Sequence, residues 1–468
     1  MMTLSPESVR RLRGFGMFAE ADGYVFRPTT VDEIRQIVDL ARQTKRKIVL
    51  RGAGRSYGDA SIAPEALVID TSRMARILRW DKESGLLEAE SGVTIEQLWR
   101  TGLEDGYWPP VVSGTMYPTL AGALAMNIHG KNAYKVGPIG DSVRKIVVLF
   151  PNGEFREITS DEPLFAAVVS SAGLLGIVTE VTLQMKKIGS GDLRVLPVSC
   201  RNWEHQIEVF ESLEHDADYM VSWVDCFGSG KSSGRGVFHA GWYMDDGEGM
   251  AHTLDQRHQD LPDTILGFFP KSVVWRFLKL LNNQVGMRCV NAMKHHSARI
   301  LGNGKPHPQS LVGFSFLLDY VPHWQKAYLP DGFIQYQSFV PRSQAVRVFR
   351  RQIELQQQAG IVSFLGVLKL HRTDRYLFSH GVDGYSLALD FKVSRKSWPS
   401  LRSLCHRMND LVLDAGGRFY LAKDYTLRPS DVRRYLGDDV LARFGCLKAE
   451  LDPDRLLTSS LAERVGLV

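Results

Sequence analysis

Arg51-Gly-Ala-Gly-Arg-Ser-Tyr-Gly-Asp59 and Ser113-Gly-Thr-Met-Tyr-Pro-Thr-Leu-Ala-Gly-Ala-Leu-Ala-Met-Asn-Ile-His-Gly-Lys-Asn132 are the two stretches that decide the fold of this chain. Both contain glycines, which have no side chain and tolerate positive φ, so successive backbone N–H groups can converge on a phosphate. Short polar side chains lie among the glycines. Two such loops so close in the chain predict a nucleotide cofactor that is held from two sides.

The first loop differs from the two best-known phosphate-binding motifs. Gly52, Gly54 and Gly58 have the spacing G-x-G-x-x-x-G, and the segment 67–70 that follows has the pattern of a strand instead of the helix that a Rossmann motif requires. No Gly-Lys-Ser/Thr follows, so the loop is not a P-loop. Taken alone, it could also be an ordinary glycine-rich turn; the second stretch makes that alternative weaker.

Composition is typical of a globular protein with two or three domains. The 468 residues are 44% hydrophobic and 23% charged, and the net charge of +5 comes without a dense basic run. We therefore expect no nucleic-acid partner, although an anionic cofactor, substrate or membrane surface would suit the charge. Five scattered cysteines predict neither a disulfide framework nor a metal site, and suggest reduced thiols in the cytoplasm. We expect no secretory signal and no membrane-spanning helix.

The N-terminal part alternates helices and strands. Residues 31–44 carry an apolar stripe of helical spacing behind Thr29-Thr30, and Asn152-Gly153 predicts a hairpin turn. The helices predicted here are 31–44, 95–103 and 163–172, and the strands are 47–50, 67–70, 86–90, 145–150, 155–158 and 176–185. This pattern predicts an α+β domain that ends near residue 190.

The rest of the chain predicts a second set of strands with helices between them. The strands predicted are 194–199, 219–225, 333–340, 362–371, 385–393 and 418–424, and the helices are 342–358 and 397–414. Segment 264–281 is strongly apolar with three basic residues. It could be a core helix after Pro270 or an exposed segment that contacts a membrane or lipid tail.

Five stretches in order make the chain resemble the vanillyl-alcohol oxidase/p-cresol methylhydroxylase (PCMH) superfamily of FAD enzymes. They are Arg51–Asp59, His129–Asn132, Gly332–Gln337, Ser363–Leu370 and Tyr420–Asp424. Within the superfamily, they are most similar to the oxidases of polyprenyl-phosphoryl ribose. The resemblance implies an α+β fold with a two-part PCMH-type FAD-binding domain, residues 1–192 and 418–468, and an antiparallel-sheet substrate domain over 193–417.

The resemblance also implies which residues bind FAD. Arg55 occupies the position where relatives with covalently attached flavin have histidine, so we expect noncovalent FAD. The implied cofactor-binding residues are Gly52, Ala53, Gly54, Arg55, Ser56, Tyr57, Gly58, Gly114, Thr115, Thr119, Leu120, Ala121, Gly122, Met126, Asn127, Ile128, His129, Ile177 and Tyr420.

Lys423 and His129 are the candidate catalytic residues. Oxidation of an alcohol needs a base for the hydroxyl proton, and a lysine in a partly dry pocket can have a depressed pKa. Lys423 could instead stay charged and stabilise the reduced flavin or a substrate phosphate, or form a surface ion pair with Asp424. His129 could act as acid, base or orienting group, or be a hydrogen-bonded turn residue.

The substrate residues implied are Tyr57, Lys131, Gln335, Gln337 and Lys369. Gln335 and Gln337 alternate on one side of a strand and suit sugar hydroxyls, although a solvent-facing polar stripe would have the same pattern. Lys369 interrupts an apolar strand and should face an anion.

Three further positions bear on the pocket. Trp223 could stack on substrate but is more safely assigned to the core. Ala388 stands where the closest relatives have a pocket cysteine, and Ser315-Phe316 stands where they have an aromatic–imidazole pair. We therefore expect resistance to cysteine-directed inhibitors.

The expected activity is oxidation of the 2-hydroxyl of a polyprenyl-phosphoryl ribose, or related lipid-linked sugar, to a 2-keto intermediate. An NAD(P)H-dependent short-chain reductase would complete the epimerisation to arabinose for the cell wall, at the inner face of the membrane. The alternatives are a soluble sugar or aldonolactone oxidase, a flavin-bearing binding subunit without turnover, and a phosphate-binding scaffold without flavin.

Overall fold

The computed structural model of the protein describes residues 4–245, 250–265 and 269–468. It confirms the α+β fold class, with three larger sheets and helices between and beside them. The helices are Val31–Thr44, Ile95–Gly102, Leu120–Ala125, Ala133–Val136, Pro163–Val168, Trp203–Leu213, Gln256–Gln259, Lys271–Leu281, Gln284–Leu301, Leu311–Ser315, Ala345–Ala359, Trp398–Asp414, Pro429–Leu436, Asp438–Leu451 and Ser460–Arg464.

The first sheet has four strands and carries the glycine loop at one end. In order across the sheet, its strands are Val9–Arg13, Glu20–Phe26, Leu67–Asp70 and Ile48–Arg51. The helix Val31–Thr44 begins where the Thr30 hydroxyl accepts the N–H of Glu33, and buries Ile34, Ile37 and Ala41 against the sheet. Ile48–Arg51 pairs in parallel with Leu67–Asp70 and is the edge strand. The glycine loop, residues 52–58, follows directly after it and so lies at the edge of the sheet.

The second sheet is antiparallel and has five strands. In order, these are Ile77–Asp81, Leu86–Glu90, Ile177–Gln184, Val143–Leu149 and Phe155–Thr159. Val143–Leu149 and Phe155–Thr159 form the hairpin that Asn152-Gly153 predicts.

The large sheet is antiparallel and has eight strands. In order, these are His307–Ser310, Asp192–Cys200, Gly236–Tyr243, Tyr219–Val224, Gly366–His371, Gly384–Lys392, Phe333–Pro341 and Arg418–Phe419. Two short pairs complete the strands: Tyr107–Trp108 with Lys186–Lys187, and Thr264–Ile265 with Phe269–Pro270.

The C-terminal tail packs on the N-terminal part. Ile48 donates its N–H to Leu456 and accepts from Thr458, which extends the first sheet by one short bridge. Arg464 donates to the buried carboxylates of Asp59, beside the glycine loop, and Asp424 at 2.9 Å. These contacts accord with a divided cofactor domain; the boundaries at residues 192 and 417 stay a prediction.

Three predicted elements have other bounds in the structure. The strand expected over 418–424 is only Arg418–Phe419, and a short 3-10 turn, Leu421–Lys423, follows it. The helix expected over 163–172 stops at Val168, because Ser170, Ala172 and Gly173 all have positive φ, which no right-handed helix accommodates. The strand expected over 362–371 begins only at Gly366, since Ser363 is held by the side chain of Gln356 from the preceding helix.

Candidate active site

A cavity borders all three sheets. Leu50 contributes to its wall from the first sheet, Ile177 from the second and Lys369 from the large sheet. Residues of both glycine-containing stretches, 51–59 and 113–132, line this cavity, so the structure brings the two loops to one place. An added Cβ on Gly52 would overlap the Thr119 side chain, which shows how closely the two loops approach.

Most of the implied cofactor residues line this cavity. They are Gly52, Ala53, Gly54, Arg55, Ser56, Tyr57, Gly114, Thr115, Thr119, Ala121, Gly122, Met126, Ile128, His129, Ile177 and Tyr420.

Three implied cofactor residues lie behind the cavity wall instead. An added Cβ on Gly58 would overlap the carbonyl of Asp424, so this glycine permits close packing of the tail. Leu120 is fully buried in the apolar core. Asn127 is also fully buried, and its side-chain oxygen accepts the N–H of Gly140 at 3.0 Å. We assign these three residues to support of the wall, and the sequence pattern did not distinguish them from residues that face the cavity.

The first loop has the donors that a phosphate requires. Among the residues that the structure describes, none accepts a hydrogen bond from the N–H groups of residues 53–56. Gly54 has φ +64°, a left-handed conformation that turns the loop around its own N–H groups. A diphosphate beside this loop would meet donors that no protein group uses.

The cavity fits FAD. Besides the free N–H groups, its wall carries polar atoms with no hydrogen-bond partner in the described ranges: Arg55 Nε, Thr119 Oγ1 and His129 Nδ1. Buried polar atoms without partners are rare in native proteins, so a polar ligand is expected to meet them. Apolar side chains such as Val169 and Ile177 provide the rest of the wall, as the rings of a flavin nucleotide require.

The loop after helix Pro163–Val168 is a part of the wall that sequence reasoning missed. Residues 168, 169, 171–173 and 176–178 line the cavity, and only Ile177 among them was expected there. The sequence feature that could have located this part of the wall is the run of small residues Ser170-Ser171-Ala172-Gly173, which the predicted helix 163–172 takes in up to its last residue.

Arg55 of the first glycine loop lies within electrostatic reach of Asp319, which binds Thr115 of the second. The guanidinium lies over the rings of Tyr117 and Phe15, at 4.9 and 5.3 Å. The carboxylate of Asp319 accepts the hydroxyl of Thr115 at 2.7 Å, and burial raises its pKa to about 6. The position that holds flavin covalently in some relatives is thus filled by a stacked arginine, and noncovalent FAD stays a prediction.

Lys423 faces Asp390. Burial lowers the pKa of Lys423 to about 8, and the negative charge of Asp390 opposes this shift. Burial also raises the pKa of Asp390 to about 6, although Gln335 donates to its Oδ1 at 2.5 Å. The surface pair with Asp424 was wrong, because Asp424 accepts from Arg464 and from two backbone N–H groups. Sequence reasoning missed Asp390, which lies on the strand Gly384–Lys392, whereas Lys423 lies in the short turn Leu421–Lys423.

Two more lysines bring positive charge to the same region. Lys369 lines the cavity, and burial together with the charges of Lys423 and Lys131 lowers its pKa well below the usual value. Lys131 is buried outside the cavity wall, donates to the carbonyl of Phe314 and has its pKa lowered to about 7 by burial. Positive charges at Lys423 and Lys131 within electrostatic reach of Lys369 favour an anionic ligand.

His129 lies in the wall among other rings. His371 is 4.8 Å from it between ring centroids, Tyr420 5.1 Å and His380 5.4 Å. Burial, followed by the charge of Lys369, lowers the pKa of His129 well below 6.5, so the ring is neutral at pH 7. No group of three or more His, Cys, Asp or Glu side chains in the described part of the chain is placed to hold a metal ion.

Gln335 and Gln337 share one face of the large sheet with charged and polar neighbours. Their register partners are Asp390 and Ala388 on the next strand, and residues opposite one another in an antiparallel pair point to the same face. Both glutamines are buried, so the solvent-facing stripe is wrong. Neither lines the cavity itself, whereas Tyr57 does and packs edge-to-face on Phe333.

The remaining predicted positions also have definite places. Trp223 is buried opposite Val367, on the same sheet face as Lys369, and carries Lys294 over its ring at 4.6 Å. Ala388 is buried beside Gln337 on that face. Ser315-Phe316 is buried too, with the Phe316 ring 6.0 Å from Trp108.

The apolar, basic segment 264–281 includes a surface helix, Lys271–Leu281. Residues 266–268 of this segment lie outside the described residues; after them, Lys271–Leu281 is helical as predicted. Phe277 is 54% exposed and Leu280 75% exposed, so the core assignment was wrong. The next helix, Gln284–Leu301, exposes Val285 and Ile300.

Comparisons with known proteins agree with this cavity. A family profile described as an FAD binding domain matches residues 23–159. Decaprenylphosphoryl-β-D-ribose oxidase of Mycolicibacterium smegmatis is 30% identical over 480 residues, which covers 99% of each chain. D-lactate dehydrogenase of Anaerostipes hadrus is 31% identical over 34% of this chain and 35% of its own, and L-gulonolactone oxidase of Bos taurus is 27% identical over 34% and 36%.

Proposed function

The chain belongs to the PCMH/vanillyl-alcohol oxidase superfamily, in the family of decaprenylphosphoryl-β-D-ribose oxidase, and from this premise we propose that it oxidises a lipid-linked ribose. It is an FAD-dependent oxidoreductase that acts on CH–OH groups. The substrate that we propose is a polyprenyl-phosphoryl ribose or a related lipid-linked sugar, and the product is the 2-keto sugar.

The observation that carries this proposal is the position of Lys423 in the wall of the cofactor cavity, within electrostatic reach of the buried carboxylate of Asp390. FAD, when bound, accepts the hydride that leaves the carbon of the alcohol. The hydroxyl proton needs an acceptor, and Lys423 with a pKa of about 8 is partly neutral at physiological pH. In this step the O–H and C–H bonds break, the proton goes to Lys423 and the C=O bond forms.

Charge supports a phosphorylated substrate. Lys131 lies close enough for its charge to lower the pKa of Lys369; Lys131 is buried, and Lys369 is partly buried in the cavity wall. A phosphate beside them would relieve the repulsion between the amines, which a neutral sugar would not do. Gln335 and Gln337 offer amide groups for the sugar hydroxyls from the same sheet face.

The chemistry of the product suggests a partner. A 2-keto sugar becomes the arabinose epimer when a hydride is delivered to the opposite face, which is a reaction of NAD(P)H-dependent short-chain reductases. We therefore propose such a reductase as the next enzyme, in formation of cell-wall arabinose.

We further propose that the protein works at the inner membrane surface. Among the described residues, no helix is long and apolar enough to cross a bilayer. The exposed apolar residues of the two helices between 271 and 301 lie near basic ones such as Arg276 and Lys279, which suits attachment to an anionic lipid surface.

Vesicle flotation tests the membrane proposal. The wild type should float with vesicles of anionic phospholipid, and the double variant Phe277→Ser/Leu280→Ser should stay in solution. Leu78→Ser, which removes a 42% exposed leucine from the second sheet, is the matched control. A wild type that stays wholly in solution would refute the attachment.

Anaerobic bleaching of the flavin tests the reaction. Farnesylphosphoryl ribose, a short-chain mimic, should bleach the purified yellow protein rapidly, and Lys423→Ala should bleach slowly. The second candidate is a soluble aldonolactone oxidase, which the partial match to L-gulonolactone oxidase favours. Bleaching by free lactones alone would establish that candidate, whereas a Lys423→Ala protein that supports its pathway in cells would indicate a binding subunit.

A further inference from the structure

A hydrogen-bonded chain of side chains runs behind the cavity wall. Ser386 is its centre: its hydroxyl lies 2.7 Å from His371 Nε2 and 3.0 Å from Gln337 Nε2. Gln337 Nε2 also lies 3.3 Å from His129 Nε2. The four residues come from three adjacent strands of the large sheet and from the second glycine-containing loop, and all four are buried.

With the Gln337 amide nitrogen as the donor, one assignment of protons along this chain follows. The amide nitrogen of Gln337 has two hydrogens, and the two acceptors near it are Ser386 Oγ and His129 Nε2. Ser386 then has its own hydrogen free to donate to His371 Nε2. Both Gln337 amide hydrogens and the Ser386 hydroxyl hydrogen then have an acceptor, provided that both histidines are unprotonated at Nε2.

A neutral histidine that is bare at Nε2 carries its proton on Nδ1. In His129 this atom is buried and has no partner within the described ranges, and the ring lines the cavity. Burial is the main reason that the ring stays neutral, and the charges of Lys369, His371, His380 and Lys423 also lower the pKa of His129. His129 therefore carries a buried hydrogen-bond donor that has no protein partner in the described ranges, in a ring that lines the cavity.

We propose that Ser386 and His371 are positioning residues that lock His129, through Gln337, as the Nδ1–H tautomer, so that it donates to an oxygen of the bound ligand. This role rests on the proposed function for the identity of that ligand, whereas the tautomer itself does not depend on the substrate. A fixed neutral donor would hold the oxygen that becomes the ketone without adding charge beside Lys423. His129 would then orient the substrate, and the role of base would belong to Lys423.

Nuclear magnetic resonance of the histidine rings tests the lock in FAD-loaded protein labelled with ¹⁵N-histidine. A long-range ¹H–¹⁵N spectrum distinguishes the two neutral tautomers, and His129→Asn identifies the signals of His129. The wild type should show one species with the proton on Nδ1. Ser386→Ala should show both tautomers in exchange, and Ser386→Thr, which keeps the hydroxyl, should restore the single species.

Flavin bleaching provides the second measurement. In Ser386→Ala the rate constant at saturating mimic should fall about tenfold, because one oriented hydrogen bond is lost, while the mimic's half-saturating concentration changes little. Ser386→Thr should recover most of that loss.

Each outcome decides something. A His129 proton on Nε2 in the wild type would overturn the proposal, because the chain would then run in the opposite direction and leave Nδ1 as an acceptor. An unchanged tautomer in Ser386→Ala would overturn the role of Ser386. A correct tautomer in a protein that the mimic does not bleach would instead count against the proposed substrate alone.

Discussion

The rate of flavin bleaching should rise with pH through the titration of Lys423. Burial brings the pKa of this amine from 10.5 to about 8. At pH 7 the neutral fraction is then about one in ten, about 300 times that of an ordinary lysine, and at pH 9 it is about nine in ten. If the neutral amine takes the substrate proton, the rate should increase about tenfold between pH 7 and pH 9.

The assay is anaerobic stopped-flow bleaching at saturating farnesylphosphoryl ribose, over a pH range that brackets the pKa of Lys423. Lys423→Ala should be slow and should lose this pH dependence, while it still binds FAD and stays yellow. A wild-type rate that falls as the pH rises would refute the base role, because the charged ammonium would then be the active form.

Asp390→Asn adds an internal check to the same experiment. The carboxylate of Asp390 is the group that opposes the lowering of the Lys423 pKa. Without its charge the pKa should fall further, so the rising part of the profile should move to lower pH. A profile that stays in place would show that another group titrates.

Three further predictions concern stability, cofactor binding and access to the pocket. Arg464→Gln should lower the free energy of unfolding by about 3 kcal/mol in denaturant titrations, because two buried carboxylates lose their counterion, whereas Arg11→Gln in an exposed pair should leave the midpoint unchanged. Gly58→Ala should lose FAD on gel filtration, since its Cβ overlaps a backbone carbonyl; Gly445→Ala, in open space on a helix, should keep FAD. A cysteine-directed reagent should modify Ala388→Cys at that position, and peptide mapping that finds no modification there would show that the residue is out of reach.

Local signals predicted the elements that depend on neighbouring residues. The helix Val31–Thr44 follows from its apolar spacing and its Thr30 cap, and the strands Leu67–Asp70 and Leu86–Glu90 were predicted to the residue. Strands on the surface or at a sheet edge were missed, because their side chains alternate weakly; Val9–Arg13 is one, with three arginines in five residues.

The site depended on contacts that no local pattern encodes. Lys423, in the turn Leu421–Lys423, comes within electrostatic reach of Asp390 on the strand Gly384–Lys392 only through the tertiary fold. The bond between His371 and Ser386 likewise depends on the register of adjacent strands, in which a shift by one residue would turn every side chain to the other face. The resemblance to FAD enzymes supplied Lys423 and His129 themselves, but not the groups that set their protonation.

Charge in the site distinguishes the two candidate substrates. Lys369 lies within electrostatic reach of both Lys423 and Lys131, and burial disfavours the charged form of all three amines. A neutral lactone would leave this repulsion as it is, and the enzyme would gain nothing from holding three lysines there. A phosphate would restore the charged form of the two lysines beside it and bind more tightly for that reason. The same phosphate would leave Lys423, which Asp390 already faces, as the amine that titrates. An anionic sugar phosphate thus accounts for two features of the site: the three lysines, and the position of one of them, Lys423, within electrostatic reach of Asp390.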